Sequence, residues 1–220
     1  MLDATFDWLR DVDAVFSTYR DDSEISRLGR GELVLEDANP DVRWVLARCE
    51  ELRDETGGYF DARAGGSLDP SGLVKGWAVE RAASLLEEAG VRNVAVSAGG
   101  DMCLRGRALP EPGWRVGIQH PIERDRVAAV IEANDLAVAT SGAYTRGDHV
   151  LDPHSGRPPA GVLSVTVTGP DLAVADAYAT AAFAMGEAGP AWTARLPRGY
   201  GAMTALADGR LLSTAGFPAV

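Results

Sequence analysis

The 220-residue chain predicts an α+β fold: a single compact domain over residues 1–220, with a mixed or antiparallel sheet flanked by helices. Apolar residues recur at spacings of three and four through roughly the first 90 positions. The remainder is mostly short alternating runs, with one late alanine-rich helix. Helices first and strands afterwards favour this class over a doubly wound parallel sheet.

The elements follow in order. Residues 3–18 read as an amphipathic helix with Phe6, Leu9, Val12 and Phe16 inward and Asp13 as the polar exception. A polar break leads to Ser23–Leu28, a short capped turn. Asn39-Pro40-Asp41 opens a helix over about 41–56, with Val42, Val45, Leu46, Cys49 and Leu52 inward and Gly57-Gly58 as its stop. A Gly-rich segment, 62–72, connects to a helix over about 74–89. Strands are expected at 93–97, 114–119, 127–132, 136–140 and 163–168, with a strand or loop edge at His149-Val150-Leu151. Residues 171–186 read as a helix, and 201–206 with 210–214 as a hairpin about Asp208-Gly209.

Composition narrows the function. The net charge of -11 argues against a nucleic-acid or anionic-membrane surface, which needs clustered Lys and Arg. No apolar run approaches the length of a transmembrane helix. The two cysteines, Cys49 and Cys103, form no CxxC pattern and read as buried reduced thiols. MLDATFDWLRDVD is acidic and amphipathic, unlike a signal peptide. The expectation is therefore a cytoplasmic protein, unless the sequence is the trimmed remainder of a longer precursor.

Residues 68–80, LDPSGLVKGWAVE, form the centre of the chemistry. Asp69 and Ser71 precede a helical run and can cap it, and such a helix start suits a phosphate. Asp69 itself has the charge to hold a metal ion or to accept hydrogen bonds from a ligand. Asp176 and Thr180 are four apart in the late helix, hence on one face among alanines. They are either two oxygen ligands for a hard cation or a dipole-stabilised acid beside helix filler. Ser97-Ala98-Gly99-Gly100-Asp101 lets the backbone approach a ligand, or simply turns. His149 is a candidate general base for a hydroxyl, or a structural histidine. The histidine spacing lacks a matching Cys or His set for zinc. Tyr19, Phe60 and Asp61 lie near breaks, where they can flank a planar ring or serve as core and cap.

In their order, these segments resemble the successive motifs of the ApbE-type FAD:protein FMN transferases. The blocks are STYRDDSEISR at 17–27, GYFDARAGG at 58–66, LDPSGLVKGWAVE at 68–80, NVAVSAGGDM at 93–102, VATSGAYTR at 138–146, HVLDPHSGRPP at 149–159 and SVTVTGPDLAVADAYATAAFAMG at 164–186. The resemblance implies a T-fold-related architecture and magnesium-dependent transfer of the FMN part of FAD to a Thr or Ser hydroxyl of an acceptor flavoprotein, with release of AMP. Hydrolysis of FAD to FMN and AMP is one alternative, and binding of FAD without turnover is another. Asp69 and Lys75 would contact FAD. The metal would take backbone oxygen from Gly72 and Ala179 and side-chain oxygen from Asp176 and Thr180. Tyr19, Tyr59, Phe60, Asp61, Val150 and Leu151 would line the nucleotide, and His149 would be the base. The chain departs from the family pattern in several places. The usual opening M-G-T strand is missing, and the stretch between Asp61 and Asp69 is short. Ser97, Pro70 and Glu80 stand where Asn, Leu and Asp are usual.

Overall fold

Six strands, every neighbouring pair antiparallel, form a sheet that separates two apolar layers. The computed structural model describes residues 2–123, 125–142 and 150–220. In sheet order the strands are β1 (Val94–Ala98), β2 (Asp101–Arg105), β5 (Leu136–Gly142), β6 (Val162–Gly169), β7 (Gly201–Leu206) and β8 (Leu211–Ser213). A separate pair, β3 (Trp114–Gln119) and β4 (Val127–Ala133), is also antiparallel. The helices are α1 (Leu2–Phe16), α2 (Glu24–Gly29), α3 (Pro40–Glu55), α4 (Ser71–Glu88), α5 (Leu172–Ala184) and the short α6 (Gly189–Thr193). Among the described residues no helix is long and apolar enough to cross a membrane.

Alternation along the strands sorts side chains between the layers. Cys103, Ala137, Ala139, Val165 and Val167 face the helical core with Leu73, Val42 and Leu172. Leu104, Val138 and Met203 face away and pack with Val116, Ile118, Ile131 and Phe217. The β3–β4 pair therefore covers the sheet face that the helices leave open.

Local signals explain the helix starts. Ser23 accepts a hydrogen bond from the Ser26 N–H, and Asn39 accepts one from the Asp41 N–H with Pro40 at the first turn. α4 begins at Ser71, three residues before the sequence expectation, because Asp69 Oδ1 accepts the Ser71 N–H at 3.0 Å and fixes the turn.

The inward stripe of α1 holds at Leu9, Val12 and Phe16, but Phe6 is exposed and Thr5 is buried. Trp8 takes the inward place by donating its indole N–H to the Ala78 carbonyl and packing edge-on against Trp77 at 5.0 Å. Phe16 and Trp44 complete an aromatic cluster around Trp77.

A second correction concerns residues 99–105. Gly99 (φ 61°) and Gly100 (φ 94°) make a tight two-residue hairpin loop, and β2 follows it. Val150 and Leu151 belong to no strand. Both cysteines are free and buried.

α5 is buried along nearly its whole length and packs against α4, β5 and β6. Its crossing with α4 is close at Gly76, where a Cβ would stand 2.6 Å from the Leu172 carbonyl oxygen. Glu80 joins the same two helices. It accepts the Leu172 N–H at 3.0 Å and pairs with Arg105 at 2.9 Å.

Candidate functional site

The starts of α4 and β2 and the middle of α5 bring Gly72, Lys75, Asp101, Asp176 and Thr180 together. Lys75 is one helical turn into α4. Its ammonium lies 2.7 Å from Asp101 Oδ2 and 3.5 Å from Asp176 Oδ1. Both carboxylates are fully enclosed, at 0% and 1% exposed. Asp101 Oδ1 accepts the Thr140 backbone N–H at 3.0 Å. The contact of Asp101 Oδ2 with Lys75 is an ion pair without hydrogen-bond alignment. Asp176 Oδ2 has no hydrogen-bond partner among the described residues.

Thr180 is one turn beyond Asp176 on the same face of α5, and its hydroxyl shares a 3.1 Å hydrogen bond with Ser141. Gly72 faces it: a Cβ there would be 3.8 Å from Thr180 Oγ1 and 3.1 Å from the Phe60 ring. The absent side chain thus leaves the first turn of α4 close to α5. Ala179, adjoining Thr180, is buried.

The charges explain the titration behaviour. Two carboxylates and one ammonium leave a net negative charge where water is excluded, and such a charge is costly. Burial, and then the charge of Asp101, push the Asp176 carboxyl well above the ordinary carboxylate range, against the pull of Lys75. Burial would lower the Lys75 ammonium, but the Asp176 and Asp101 charges outweigh it and raise it.

A hard divalent cation fits this donor set. It takes oxygen ligands, and Asp176 Oδ2 is a buried, unpartnered carboxylate oxygen one turn from the Thr180 hydroxyl. Among the described residues no group of three or more His, Cys, Asp or Glu could hold a metal. The fit therefore depends on hydroxyl and backbone oxygen beside one carboxylate.

The other expected residues lie elsewhere. Asp69 is exposed and accepts the Ser71 N–H in the turn ahead of α4, whose N-cap is Pro70. Asp61 accepts the Arg63 N–H and lies 3.6 Å from Arg53. Tyr59 packs edge-on against His154 at 4.6 Å, and Tyr19 is 95% exposed. Phe60 is buried against Gly72. Val150 and Leu151 are half-buried, and Val150 packs on the helical core. His149 is outside the described residues. A cleft of about 660 Å³, lined by Tyr178, Trp192, Tyr200 and Arg195, touches none of these expected residues. Tyr178 is two positions from both Asp176 and Thr180, so this cleft opens on the opposite face of α5.

Sequence reasoning did not single out Asp101 or Ser141 as site residues. The only signal for Asp101 was an acid directly after Gly99-Gly100; for Ser141 there was none beyond a hydroxyl at a strand end.

A sequence model of the ApbE family matches residues 2–66 and 62–204. An FAD:protein FMN transferase of Vibrio cholerae is 37% identical over 130 residues, which is 54% of this chain and 39% of that protein. The Salmonella typhimurium protein of the same name is 35% identical over 54% of this chain and 37% of its own length. The matched stretch thus spans well under half the length of these relatives. A longer alignment with the Haemophilus influenzae FAD:protein FMN transferase, 26% identical, covers 81% of this chain and 70% of that protein. Among solved structures, the flavin transferase ApbE from Vibrio cholerae superimposes with a TM-score of 0.86 at 25% identity, covering 98% of this chain and 88% of that one. The ApbE protein of Thermotoga maritima gives 0.87 at 23% identity, a likeness of fold.

Proposed function

Since this chain belongs to the ApbE family, we propose that it transfers the FMN part of FAD to a Thr or Ser hydroxyl of an acceptor flavoprotein in a magnesium-dependent reaction that releases AMP. The observation that carries the reading is the buried Asp176 carboxylate, with one oxygen unpartnered among the described residues, a turn from Thr180 and facing Lys75.

In the transfer, the acceptor hydroxyl oxygen forms a bond to the FMN-side phosphorus of the pyrophosphate. The bond from that phosphorus to the bridging oxygen breaks, and AMP leaves with the bridging oxygen. The hydroxyl proton passes to a base, for which His149 is the family's candidate. Such a reaction depends on positioning and charge neutralisation more than on covalent help from the protein.

Asp176 and Thr180, with backbone oxygen from Gly72 and Ala179, would hold Mg2+, which when bound offsets pyrophosphate charge and stabilises charge on the leaving oxygen. Lys75 adds a fixed positive charge beside it. Phe60 packs the start of α4 so that Gly72 stays against Thr180. The Ser141 hydroxyl holds the Thr180 hydroxyl in one orientation. This arrangement lets a protein of net charge -11 accept a pyrophosphate.

The test is incubation with FAD and Mg2+, with and without a flavin-acceptor domain, resolving protein-bound flavin, free FMN and AMP. Covalent flavin on the acceptor, matched by AMP, is expected. Free FMN that appears equally without acceptor would replace transfer by hydrolysis, and no AMP in either arm would overturn both. Asp176→Ala should lower the rate by at least about 100-fold, beyond the range typical for residues that only orient a metal ligand.

A further inference from the structure

We infer that Asp101 keeps the cation position of Asp176 open by holding the Lys75 ammonium away from it, which makes Asp101 a positioning residue of the site. The inference rests on the cation reading proposed above.

Lys75 has two buried counter-charges, and it stands closer to Asp101 (2.7 Å) than to Asp176 (3.5 Å). An ammonium that settled on Asp176 would occupy the oxygens a cation needs and cancel the charge that attracts it. Asp101 can compete because it is fixed. It is the first residue of β2, locked behind the Gly99-Gly100 loop, and its Oδ1 accepts the Thr140 N–H. The Thr140 hydroxyl in turn shares a 2.9 Å hydrogen bond with Thr166 on β6. The carboxylate is therefore tied to the sheet, while Lys75 and Asp176 come from the two helices that pack on it. Asp101 is fully buried, so its charge is weakly screened on its own side of the pair, although the Lys75 side chain keeps 30% exposure. A buried carboxylate at the end of a strand has no packing reason to be an acid. An asparagine would keep the Thr140 hydrogen bond equally well, so the charge on Oδ2 serves Lys75.

The experiment is Mn2+ titration of the full chain, with free Mn2+ counted by room-temperature electron paramagnetic resonance. The variants are Asp101→Asn, Lys75→Met and the Lys75→Met/Asp101→Asn double. Asp101→Asn should weaken Mn2+ binding by at least about ten-fold, because the released ammonium moves onto Asp176. The double variant should bind close to the wild-type value, because no ammonium remains to be held. That rescue is what a merely structural role for Asp101 would not give. Should Asp101→Asn fail to fold, Asp101→Ser and the Lys75→Met/Asp101→Ser double take its place, and the same pattern of loss and rescue is required. Unchanged affinity in Asp101→Asn overturns it, as does a double variant that binds as weakly as Asp101→Asn or loses ten-fold against wild type. Wild-type protein that takes up no Mn2+ overturns the cation reading itself and this inference with it, whereas wild-type uptake with unchanged Asp101→Asn overturns this inference alone.

Discussion

Asp176 lies inside an alanine-rich helix with almost no exposure, where an ionised carboxylate is retained only if something compensates it. Lys75 supplies part of that compensation, and the pair with Asp101 leaves one negative charge over. The same physics makes the two thiols inert. Burial, and then Glu50, push Cys49 up to about 12; burial pushes Cys103 up to about 11. Thiolate is the reactive form, so its fraction at pH 8 is far below that of a free cysteine and rises only as pH climbs toward those values. Native protein at pH 8 should take up iodoacetamide at neither position, and protein in urea at both; mass spectrometry of the two samples checks this. Asp176 and Thr180 were legible in sequence because a polar pair at a helical spacing stands out among alanines. Asp101 was not, because its meaning depends on a hairpin that brings it back beneath α4, and no local pattern records that return. Phe6 was misread for a related reason: the stripe of α1 is decided by which aromatic side chain meets Trp77, a partner some 70 positions away.

At the level of elements, the crossing of α4 and α5 determines whether the two walls of the site meet. Gly76 permits it. Alanine has the better helix propensity by about 1 kcal/mol, yet its methyl would meet the Leu172 carbonyl at 2.6 Å and the Ala173 Cα at 2.8 Å, both backbone. The clash outweighs the propensity, because backbone atoms cannot rotate away. Gly76→Ala should lose about 1–3 kcal/mol of stability, read as a lower urea midpoint with an unchanged slope; a midpoint at or above the wild-type value would contradict the close crossing. Long periodic helices were readable because each repeats one burial rule several times, and 163–168 because apolar residues alternate with Ser and Thr, although β6 is buried on both faces. β2 was not, because Asp101-Met102-Cys103-Leu104-Arg105 is a short apolar run between two charges and carries no alternation. The start of α4 was placed late because Pro70 and Gly72 look like turn residues, whereas the Asp69 carboxylate stabilises a helix that begins between them.

On the scale of the whole molecule, the antiparallel sheet has one core beneath the helices and another beneath β3–β4, and the candidate site belongs wholly to the helical side. Its members, from Gly72 to Thr180, are gathered from distant parts of the chain, so the sheet has to form before the site exists. The class of fold was readable from the order of helices and strands. That every neighbouring pair in the sheet is antiparallel, and that β3–β4 stands apart as a second layer, depended on pairings that no short window contains. The aromatic cluster has one more consequence, and it is optical. Trp8, Trp44 and Trp77 are three of the five tryptophans, and Trp77 follows Lys75 by two residues, whereas Trp114 lies in the other layer. Indole emission overlaps flavin absorption, and energy transfer falls steeply with distance, so a flavin seated by Lys75 would darken this cluster most. Titrating FAD into the protein should quench its ultraviolet emission, and Trp77→Phe should remove more of that quench than Trp114→Phe; equal losses would place the isoalloxazine away from α4. The tryptophans would thus gauge where the proposed nucleotide sits.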